Sequence, residues 1–194
     1  MISLSIVADE NVPAVRVLVP AIHKDERGFL LEVWREDDLR GAGINVRFVQ
    51  ENHTRSEAVG TVRGLHFQIS SAAQAKLVRC VRGSILDVAV DIRRGSPSFG
   101  RHAALVLSAD NWKQLYVPVG FAHGYCTLHP CSEVVYKVSA YYHPASERGL
   151  AWDDPELGIA WPVDVQTAIL TERDRRFPPL AELADFFPFA QYPD

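Results

Sequence analysis

Residues 61–91 constrain the fold more than any other stretch, because three apolar runs there alternate their side chains between two faces. From Lys76 to Arg82 the residues at even positions share one face and those at odd positions the other, which is the period of a β-strand. A polar loop, ISSAAQ, separates the first run from the second, and an Arg82-Gly83 turn separates the second from the third. The stretch therefore predicts three consecutive strands.

Four polar or charged side chains interrupt the apolar pattern of these strands: Arg63, His66, Gln68 and Lys76. Burying such groups without a partner or a ligand costs free energy. A strand pattern that conflicts with the chemistry of its own side chains is typical of a functional site. We therefore expect a ligand site along these strands.

The rest of the chain is dominated by short strands between turn residues. Strands are predicted at residues 15–19, 29–34, 46–52, 103–107, 114–117, 122–128 and 133–142. Turns or loops are predicted at residues 23–28, 53–60 and 144–149, a single helical turn at 36–40, and an irregular segment whose two tryptophans cover one barrel end at 151–162. Many short strands with almost no helix predict an all-β sandwich or closed barrel.

Length and composition favour one globular domain over residues 1–194, whose tail from about residue 164 packs on the barrel or on a neighbouring subunit. A formal net charge of −4 gives no reason to expect nucleic acid or an anionic membrane as partner. The three cysteines show no CxxC spacing, and their odd number argues against a disulfide framework. No basic leader and no apolar run of membrane length is visible, so we expect a cytoplasmic protein.

The segment PVGFAH, residues 118–123, has the form PxGxxH and resembles the second conserved box of the cupin barrels. Metal-binding cupins add two further histidines and a glutamate from an earlier HxHxxxxE box. The corresponding segment here, GLHFQ, supplies only His66. Because zinc and iron sites need several imidazole or carboxylate ligands, we expect no metal and no cofactor.

Seven segments in series resemble the dTDP-4-dehydrorhamnose 3,5-epimerase family. They are residues 25–32 (DERGFLLE), 48–54 (FVQENHT), 62–68 (VRGLHFQ), 76–100, 114–125 (QLYVPVGFAHGY), 134–162 and 169–178 (ILTERDRRFP). The resemblance implies a cupin-type jelly-roll β-barrel with short peripheral helices. It also implies a homodimer that acts, without a cofactor, on a dTDP-linked 4-keto-6-deoxy sugar.

Epimerisation next to a ketone needs a base, a partner for the enolate oxygen and an acid on the opposite face. His66 is the candidate base, because an unperturbed imidazole with a pKa of about 6.5 is largely neutral in the cell. The alternative for a lone strand histidine is a core residue bonded to a neighbour. The resemblance assigns Asp174 as the partner of His66, Tyr136 as the acid and Lys76 as the group near the 4-keto oxygen. From the residues alone Asp174 is rather a surface charge and Tyr136 a core aromatic, and the alternative for Lys76 is an exposed strand start.

The resemblance also assigns substrate contacts: Arg27, Phe29, Glu32, Gln50, Asn52, Arg63, His123, Glu147 and Arg173. The first three belong to a nucleotide site that the partner subunit often completes in the family. Gln50 and Asn52 match the base-reading and phosphate-side positions, although Asn52 would serve equally well in an Asx turn.

Arg63 matches a diphosphate contact, for which a forked guanidinium is suited. In a regular strand Arg63 and His66, three residues apart, would face opposite sides, so we expect a bulge at Gly64 to bring both inward. His123 is either a structural residue of the PxGxxH turn or a polar contact to the sugar. Glu147 and Arg173 are further contacts by resemblance, or solvated loop charges.

The resulting prediction is an isomerase that inverts C3 and C5 of dTDP-4-dehydro-6-deoxy-D-glucose to give dTDP-4-dehydro-L-rhamnose, in dTDP-L-rhamnose biosynthesis. Three alternatives stay open. One is a relative that inverts only C3 or only C5, another is a non-catalytic cupin that binds nucleotide sugars, and the third is a metal-dependent cupin oxygenase.

Overall fold

The structure is a computed structural model that describes residues 4–184 and 187–192. The strands are β1 (Leu4–Ala8), β2 (Arg16–Pro20), β3 (Ile22–Asp25), β4 (Gly28–Leu31), β5 (Gln50–Ser56), β6 (Val62–Gln68), β7 (Lys76–Arg82), β8 (Ser84–Asp91), β9 (Arg93–Arg94), β10 (His102–Ser108), β11 (Gln114–Val117), β12 (Phe121–Thr127), β13 (Ser132–Val138), β14 (Glu147–Gly149) and β15 (Phe187–Pro188). Helix α1 spans Glu36–Gly41, and 3-10 helices span Ser70–Ala72, Pro144–Ser146, Pro155–Leu157, Asp174–Arg176, Leu180–Glu182 and Phe189–Gln191. Over this part of the chain no helix is long and apolar enough to cross a bilayer.

Two antiparallel sheets form the body of the molecule. One has six strands in the order β1-β2-β11-β7-β13-β5, and the other has five in the order β10-β8-β12-β6-β14. From β5 to β8 and from β10 to β14, consecutive strands lie in different sheets, so the chain passes repeatedly from one sheet to the other. This is a jelly-roll barrel, and the prediction of an all-β fold is confirmed.

Three apolar clusters hold these layers together. The cluster between the sheets includes Val78, Ala89 and Leu115, each fully buried. The outer face of the five-stranded sheet packs Val88 and Val90 against the segments that follow β14, and the outer face of the six-stranded sheet packs Leu77 against α1. Each buried Val or Leu side chain contributes about 1.5–3 kcal/mol. Because apolar clusters lie between the sheets and on the outer face of each sheet, a polar side chain between the sheets is unusual.

The three strands predicted from residues 61–91 are confirmed as β6, β7 and β8. The polar loop predicted at residues 53–60 is wrong in its first half, because β5 continues to Ser56. Strand β5 pairs with β13 on one side only and ends its sheet. Its side chains alternate between half-buried and exposed, so an edge strand with polar residues on both faces looks like a loop in the sequence.

Other strand boundaries also differ from the prediction. The strand expected at residues 133–142 ends at Val138, and the turn expected at 23–28 is the centre of the β3–β4 hairpin. The loop expected at 144–149 contains a 3-10 turn and β14, which pairs with β6. Segment 151–162 is irregular as predicted apart from a 3-10 helix, and its Trp152 and Trp161, in edge contact at 5.8 Å between ring centroids, belong to the outer cluster of the five-stranded sheet.

The described part of the C-terminal tail lies against the outer face of the five-stranded sheet. Strand β15 pairs in parallel with β9, and Phe187 joins the outer apolar cluster of that sheet. The guanidinium of Arg93 lies between the rings of Phe121 and Phe189, at 4.7 and 5.1 Å from their centroids, and is paired with Asp91 at 2.8 Å. The predicted tail at 164–194 includes residues 185, 186, 193 and 194, which lie outside the described residues.

Candidate active site

A polar cavity opens between the two sheets, at the end of the barrel where β5, β6, β7, β13 and β14 meet. Its two adjoining parts measure about 200 and 230 Å³ and share His66, Lys76, Tyr136 and Glu147. One part is also lined by Gln50, Gln68 and Tyr142, the other by Arg63, His123, Arg173 and Asp174. The polar residues that interrupted the strand pattern therefore collect in one place.

Arg63 and His66 reach the same cavity because β6 is irregular at Gly64. Opposite β12, His66 pairs with His123 and Arg63 pairs with Tyr125, so a step of three residues on β6 matches two on β12. The φ of Gly64 is +128°, and a Cβ there would lie 2.6 Å from the Cα of Gly124. Only glycine fits this backbone, and the predicted bulge is confirmed.

His66 and Asp174 form a hydrogen-bonded pair, with 3.0 Å between Nε2 and Oδ1. The second carboxylate oxygen of Asp174 accepts the Gly64 N–H at 3.3 Å, and the Asp174 N–H donates to Thr171 Oγ1 at 3.2 Å. Burial alone would raise the pKa of Asp174, but the bond and charge of His66 and the Gly64 N–H outweigh it and hold that pKa below its usual range. A carboxylate that accepts from Nε2 leaves Nδ1 of His66 as the free basic nitrogen.

Tyr136 lies on β13, with Asn52 opposite on β5 and Val78 opposite on β7. Burial raises the pKa of its phenol, and Arg63 opposes that shift only in part. The hydroxyl therefore stays protonated throughout the physiological range and is equipped to donate a proton.

Lys76 is buried at the start of β7, and its ammonium donates to the backbone oxygen of His66 at 3.3 Å. Desolvation lowers its pKa to about 8, although the charges of Asp87 and Glu147 oppose the shift. The alternative from the sequence, an exposed strand start, is wrong, because the structure places the cation inside the barrel. A cation held there is available to stabilise negative charge on a bound ligand.

His123 is buried on β12 and contacts Asp87 on β8, with 2.9 Å between Nε2 and Oδ1. Burial is the largest cause of a lowered pKa at His123, and Lys76 adds to it, so the imidazole is neutral at pH 7. The sequence left open whether His123 is structural or contacts the sugar. The structure gives it a structural partner, Asp87, and places it in the cavity wall, and its contact with a sugar stays a prediction.

The outer rim of the cavity is a hydrogen-bonded network. Glu147 Oε2 accepts from the Tyr142 hydroxyl and from Arg173 Nη1, each at 2.6 Å. Gln50 bonds Asn52 Oδ1 at 2.9 Å and accepts the Tyr142 N–H at 3.1 Å. Acceptors and donors are thus already ordered where the cavity meets solvent, which suits recognition of a polar ligand.

Three predicted contacts lie away from this cavity. Arg27 is exposed and paired with Asp25, and Phe29 stacks edge-on against Trp112 at 4.6 Å between centroids. Glu32 follows the β3–β4 hairpin, whose side chains line a separate cavity of about 410 Å³ on the outer side of β7 and β11. Within one chain the hairpin does not reach the residues around His66.

Several residues of the cavity wall were not predicted as site residues: Thr54, Gln68, Gln74, Tyr125, Tyr142 and Thr171. Gln68 carried a signal, because it is one of the polar residues that break the strand pattern. Tyr125 follows the PxGxxH box by two residues and bonds Thr54 at 2.8 Å, so its position on β12 was also a clue. Tyr142 was assigned to a strand, and only the early end of β13 brings it to the rim.

The arrangement provides an imidazole with a carboxylate partner, a protonated phenol and a buried cation around one space. Such a set can remove a proton from carbon, hold the resulting oxyanion and return a proton from another residue. Within residues 4–184 and 187–192 no group of three or more His, Cys, Asp or Glu side chains is placed to hold a metal ion.

Comparison with known proteins gives consistent matches. Residues 9–182 match the family described as dTDP-4-dehydrorhamnose 3,5-epimerase. The dTDP-4-dehydrorhamnose 3,5-epimerase of Sinorhizobium fredii is 45% identical over 181 residues, 93% of this chain and 92% of that protein. The structure of the 3,5-epimerase RmlC from Legionella pneumophila in complex with dTDP-4-keto-L-rhamnose has a TM-score of 0.89 and 38% identity, covering 96% of this chain and 98% of that one. ChmJ, a 3'-monoepimerase from Streptomyces bikiniensis in complex with dTDP-quinovose, has a TM-score of 0.80 and 36% identity, covering 93% and 88%.

The barrel and the side chains inside it define an isomerase built on a cupin-type jelly roll, in which acid and base groups project between two sheets. The matches extend over most of the chain and most of each relative. The chain belongs to the dTDP-4-dehydrorhamnose 3,5-epimerase family.

Proposed function

We propose that this protein inverts C3 and C5 of dTDP-4-dehydro-6-deoxy-D-glucose and forms dTDP-4-dehydro-L-rhamnose, the precursor used in dTDP-L-rhamnose biosynthesis. The observation that carries the proposal is the single cavity lined by His66, Tyr136 and Lys76 together with Asp174. These are the groups needed to move protons on carbons next to a ketone. The family to which the chain belongs supports the choice of substrate.

His66 is the proposed base. Its Nε2 is engaged by Asp174, so Nδ1 accepts the proton from the sugar carbon and the carboxylate stabilises the imidazolium that forms. The electrons released move onto the 4-keto oxygen, and the ammonium of Lys76 stabilises that oxyanion. Because Lys76 is buried, its charge is poorly screened by solvent and acts strongly on the developing enolate.

Tyr136 is the proposed acid. Its phenol stays protonated because burial raises its pKa, and it delivers a proton to the face of the enolate opposite His66. Removal from one face and return to the other inverts the carbon. The same groups act at C3 and at C5, since both carbons flank the 4-keto group.

The sugar nucleotide is held by the rim of the cavity. Arg63 and Arg173 are the proposed diphosphate-side contacts, where a planar guanidinium binds two oxygens at once. Gln50, on β5, offers an amide donor and acceptor to the pyrimidine edge, and Asn52, on the same strand, lies at the phosphate-side position. Glu147, which accepts from Tyr142 and Arg173, keeps the rim ordered before the ligand enters.

The active form is proposed to be a homodimer in which the β3–β4 hairpin of one protomer completes the nucleotide site of its partner. Phe29 and Leu30 on that hairpin are 56% and 65% exposed, and exposed apolar side chains that lie together mark contact surfaces. Arg27 and Glu32 would then reach the partner's cavity. Mixing two inactive variants, Arg27→Ala and His66→Ala, tests this, because only a shared site lets mixed dimers regain turnover.

The proposed reaction is tested by incubating the purified protein with dTDP-4-dehydro-6-deoxy-D-glucose and assigning the product by proton NMR. Inversion at both C3 and C5 supports the proposal. Inversion at one carbon favours a mono-epimerase, the activity named for the similar ChmJ structure. Binding without any product favours a nucleotide-sugar-binding cupin.

A further inference from the structure

Asp87 is a buried carboxylate that the proposed mechanism leaves without a role. It lies on β8 with no exposed surface, and its Oδ1 contacts His123 Nε2 at 2.9 Å. Its other oxygen, Oδ2, is buried and has no hydrogen-bond partner among the residues that the structure describes. Buried carboxylate oxygens are normally satisfied, because each one left bare loses its hydration. An unpartnered buried oxygen beside the cavity therefore needs an explanation.

Asp87 lies next to residues that line the cavity. His123 and Lys76 both line the cavity, and His123 pairs with His66 across the two strands. Tyr125 is the residue opposite Asp87 on β12. The charged and titratable groups around Lys76 include Asp87, Glu147, His66, His123 and Tyr136, from five different strands.

The contact with Asp87 fixes the state of His123. A carboxylate accepts, so Nε2 carries the proton, and the neutral ring then presents Nδ1 as an acceptor. No described residue donates to that nitrogen. A sugar hydroxyl in the cavity would be a suitable donor.

We propose that Asp87 is a positioning residue of this site, which sets the tautomer of His123 so that Nδ1 accepts from a sugar hydroxyl, and whose negative charge keeps Lys76 in its ammonium form. The inference rests on the proposed roles of His123 and Lys76. Desolvation lowers the pKa of Lys76 to about 8, and Asp87 is the largest influence that opposes this. Without that charge Lys76 loses its proton at a lower pH, and the oxyanion loses its cation.

Asp87→Asn separates charge from shape. Asparagine is nearly isosteric and still accepts the His123 N–H, so the substitution removes the negative charge and little else. We expect the basic limb of the pH profile of kcat/KM to shift to lower pH by at least about one unit, because that limb reports the pKa of a group in the free enzyme. For a shift of one unit, the ratio of wild-type to variant kcat/KM should then rise roughly sixfold between about pH 6.5 and 8.5. A ratio that stays constant over this range would overturn the proposal.

Asp154→Asn is the matched control. Asp154 is another buried carboxylate, but it accepts the Glu156 and Leu180 N–H groups at 3.0 and 2.7 Å, away from the cavity. The control should lower stability and leave the shape of the pH profile unmoved. If both variants move the limb equally, the effect of Asp87 is structural and the proposal fails.

A second measurement does not depend on turnover. With 13C-labelled lysine, the Lys76 signal should titrate near pH 8 in the wild type and at least about one pH unit lower in Asp87→Asn, while Lys24, Lys113 and Lys137 serve as internal references. An unchanged Lys76 midpoint would contradict the charge role even if the protein proved not to be an epimerase.

The tautomer of His123 can be read in the unmodified protein, should Asp87→Asn fail to fold. Nitrogen-15 NMR of the histidine rings should find the His123 proton on Nε2 at pH 7. A proton on Nδ1 would overturn the positioning role. Failure of turnover together with the expected tautomer and the expected Lys76 titration would count against the proposed function alone.

Discussion

At the scale of single residues, the chemistry depends on polar side chains placed inside an apolar barrel. The sequence revealed most of them, because Arg63, His66 and Lys76 interrupt an alternating apolar pattern. It did not reveal their partners. Asp174 is 108 positions from His66, and Asp87 reads as one acidic residue in an apolar strand. Pairing across such separations depends on the register of the folded sheets, which local pattern does not encode.

The role of His66 gives the first prediction. His66→Ala should abolish turnover and leave nucleotide binding nearly unchanged, because the base is lost while the rim residues remain in place. Steady-state kinetics and calorimetric titration with dTDP measure the two effects separately. Turnover near the wild-type rate would remove His66 from its proposed role, and loss of dTDP binding would show that the change disturbed the rim.

Tyr136→Phe should separate the two proton transfers. Without the phenol, His66 can still remove a proton and return one to the same face, so exchange with solvent at the first carbon should fall less than net inversion. Proton NMR in heavy water follows both processes in one sample. Equal losses of exchange and inversion would contradict the assignment of Tyr136 as the acid.

Burial of the Lys76 cation should cost stability. The pKa falls from 10.5 to about 8, so the folded state binds the proton less well than the unfolded state. The cost is fully present below pH 8 and is relieved as pH rises toward 10.5, where the unfolded chain also loses its proton. Lys76→Met should therefore be inactive and more stable at pH 7, by up to about 3 kcal/mol.

Urea unfolding at several pH values checks this prediction. The difference in unfolding free energy between Lys76→Met and the wild type should decrease between pH 8 and 10. A variant less stable than the wild type at pH 7 would show that the buried ammonium is a net stabilising group.

At the scale of elements, periodicity identified strands well where one face or both faces are buried. The apolar runs of β6, β7 and β8 lie in the middle of their sheets, and their alternation was visible. The predicted strand at residues 46–52 begins and ends earlier than β5, which spans Gln50–Ser56. Both faces of β5 are polar, because one face lines the cavity and the other meets solvent. Strand pairing, rather than side-chain pattern, makes that segment a strand.

The C-terminal tail is held against the barrel by Arg93, whose role no sequence periodicity indicates. Arg93 is fully buried, paired with Asp91, and covered by Phe121 and by Phe189 of the tail. Its guanidinium also donates to the Tyr192 backbone oxygen at 3.0 Å. One side chain therefore links β9, β12 and the C-terminal residues.

Arg93→Met should destabilise the fold by about 3–5 kcal/mol, because it leaves the buried Asp91 carboxylate without its cation. Thermal unfolding measures the loss, and limited proteolysis should show earlier cleavage near the C-terminus. Arg101→Met, at an exposed position, is the control and should change the unfolding midpoint little. An unfolding midpoint for Arg93→Met equal to that of the wild type would exclude Arg93 as the anchor.

At the scale of the whole molecule, the series of family segments predicted the jelly roll and the family, and both are confirmed. The association of two chains stays a prediction. Arg27, Phe29 and Glu32 lie on or beside an exposed hairpin, so a single chain presents an incomplete nucleotide site if these residues bind as proposed. The pattern of residues in one chain does not show which residues meet across an interface. The contacts between two chains therefore could not be derived from the sequence.

The central claim is that side chains alone move protons on the two carbons beside a ketone. Chelator-treated protein should be incubated with dTDP-4-dehydro-6-deoxy-D-glucose in heavy water, and deuterium at each ring position read by NMR. The account predicts deuterium at both C3 and C5 at the untreated rate. Ring protons that stay unexchanged, or exchange that returns only when metal is added, would contradict it.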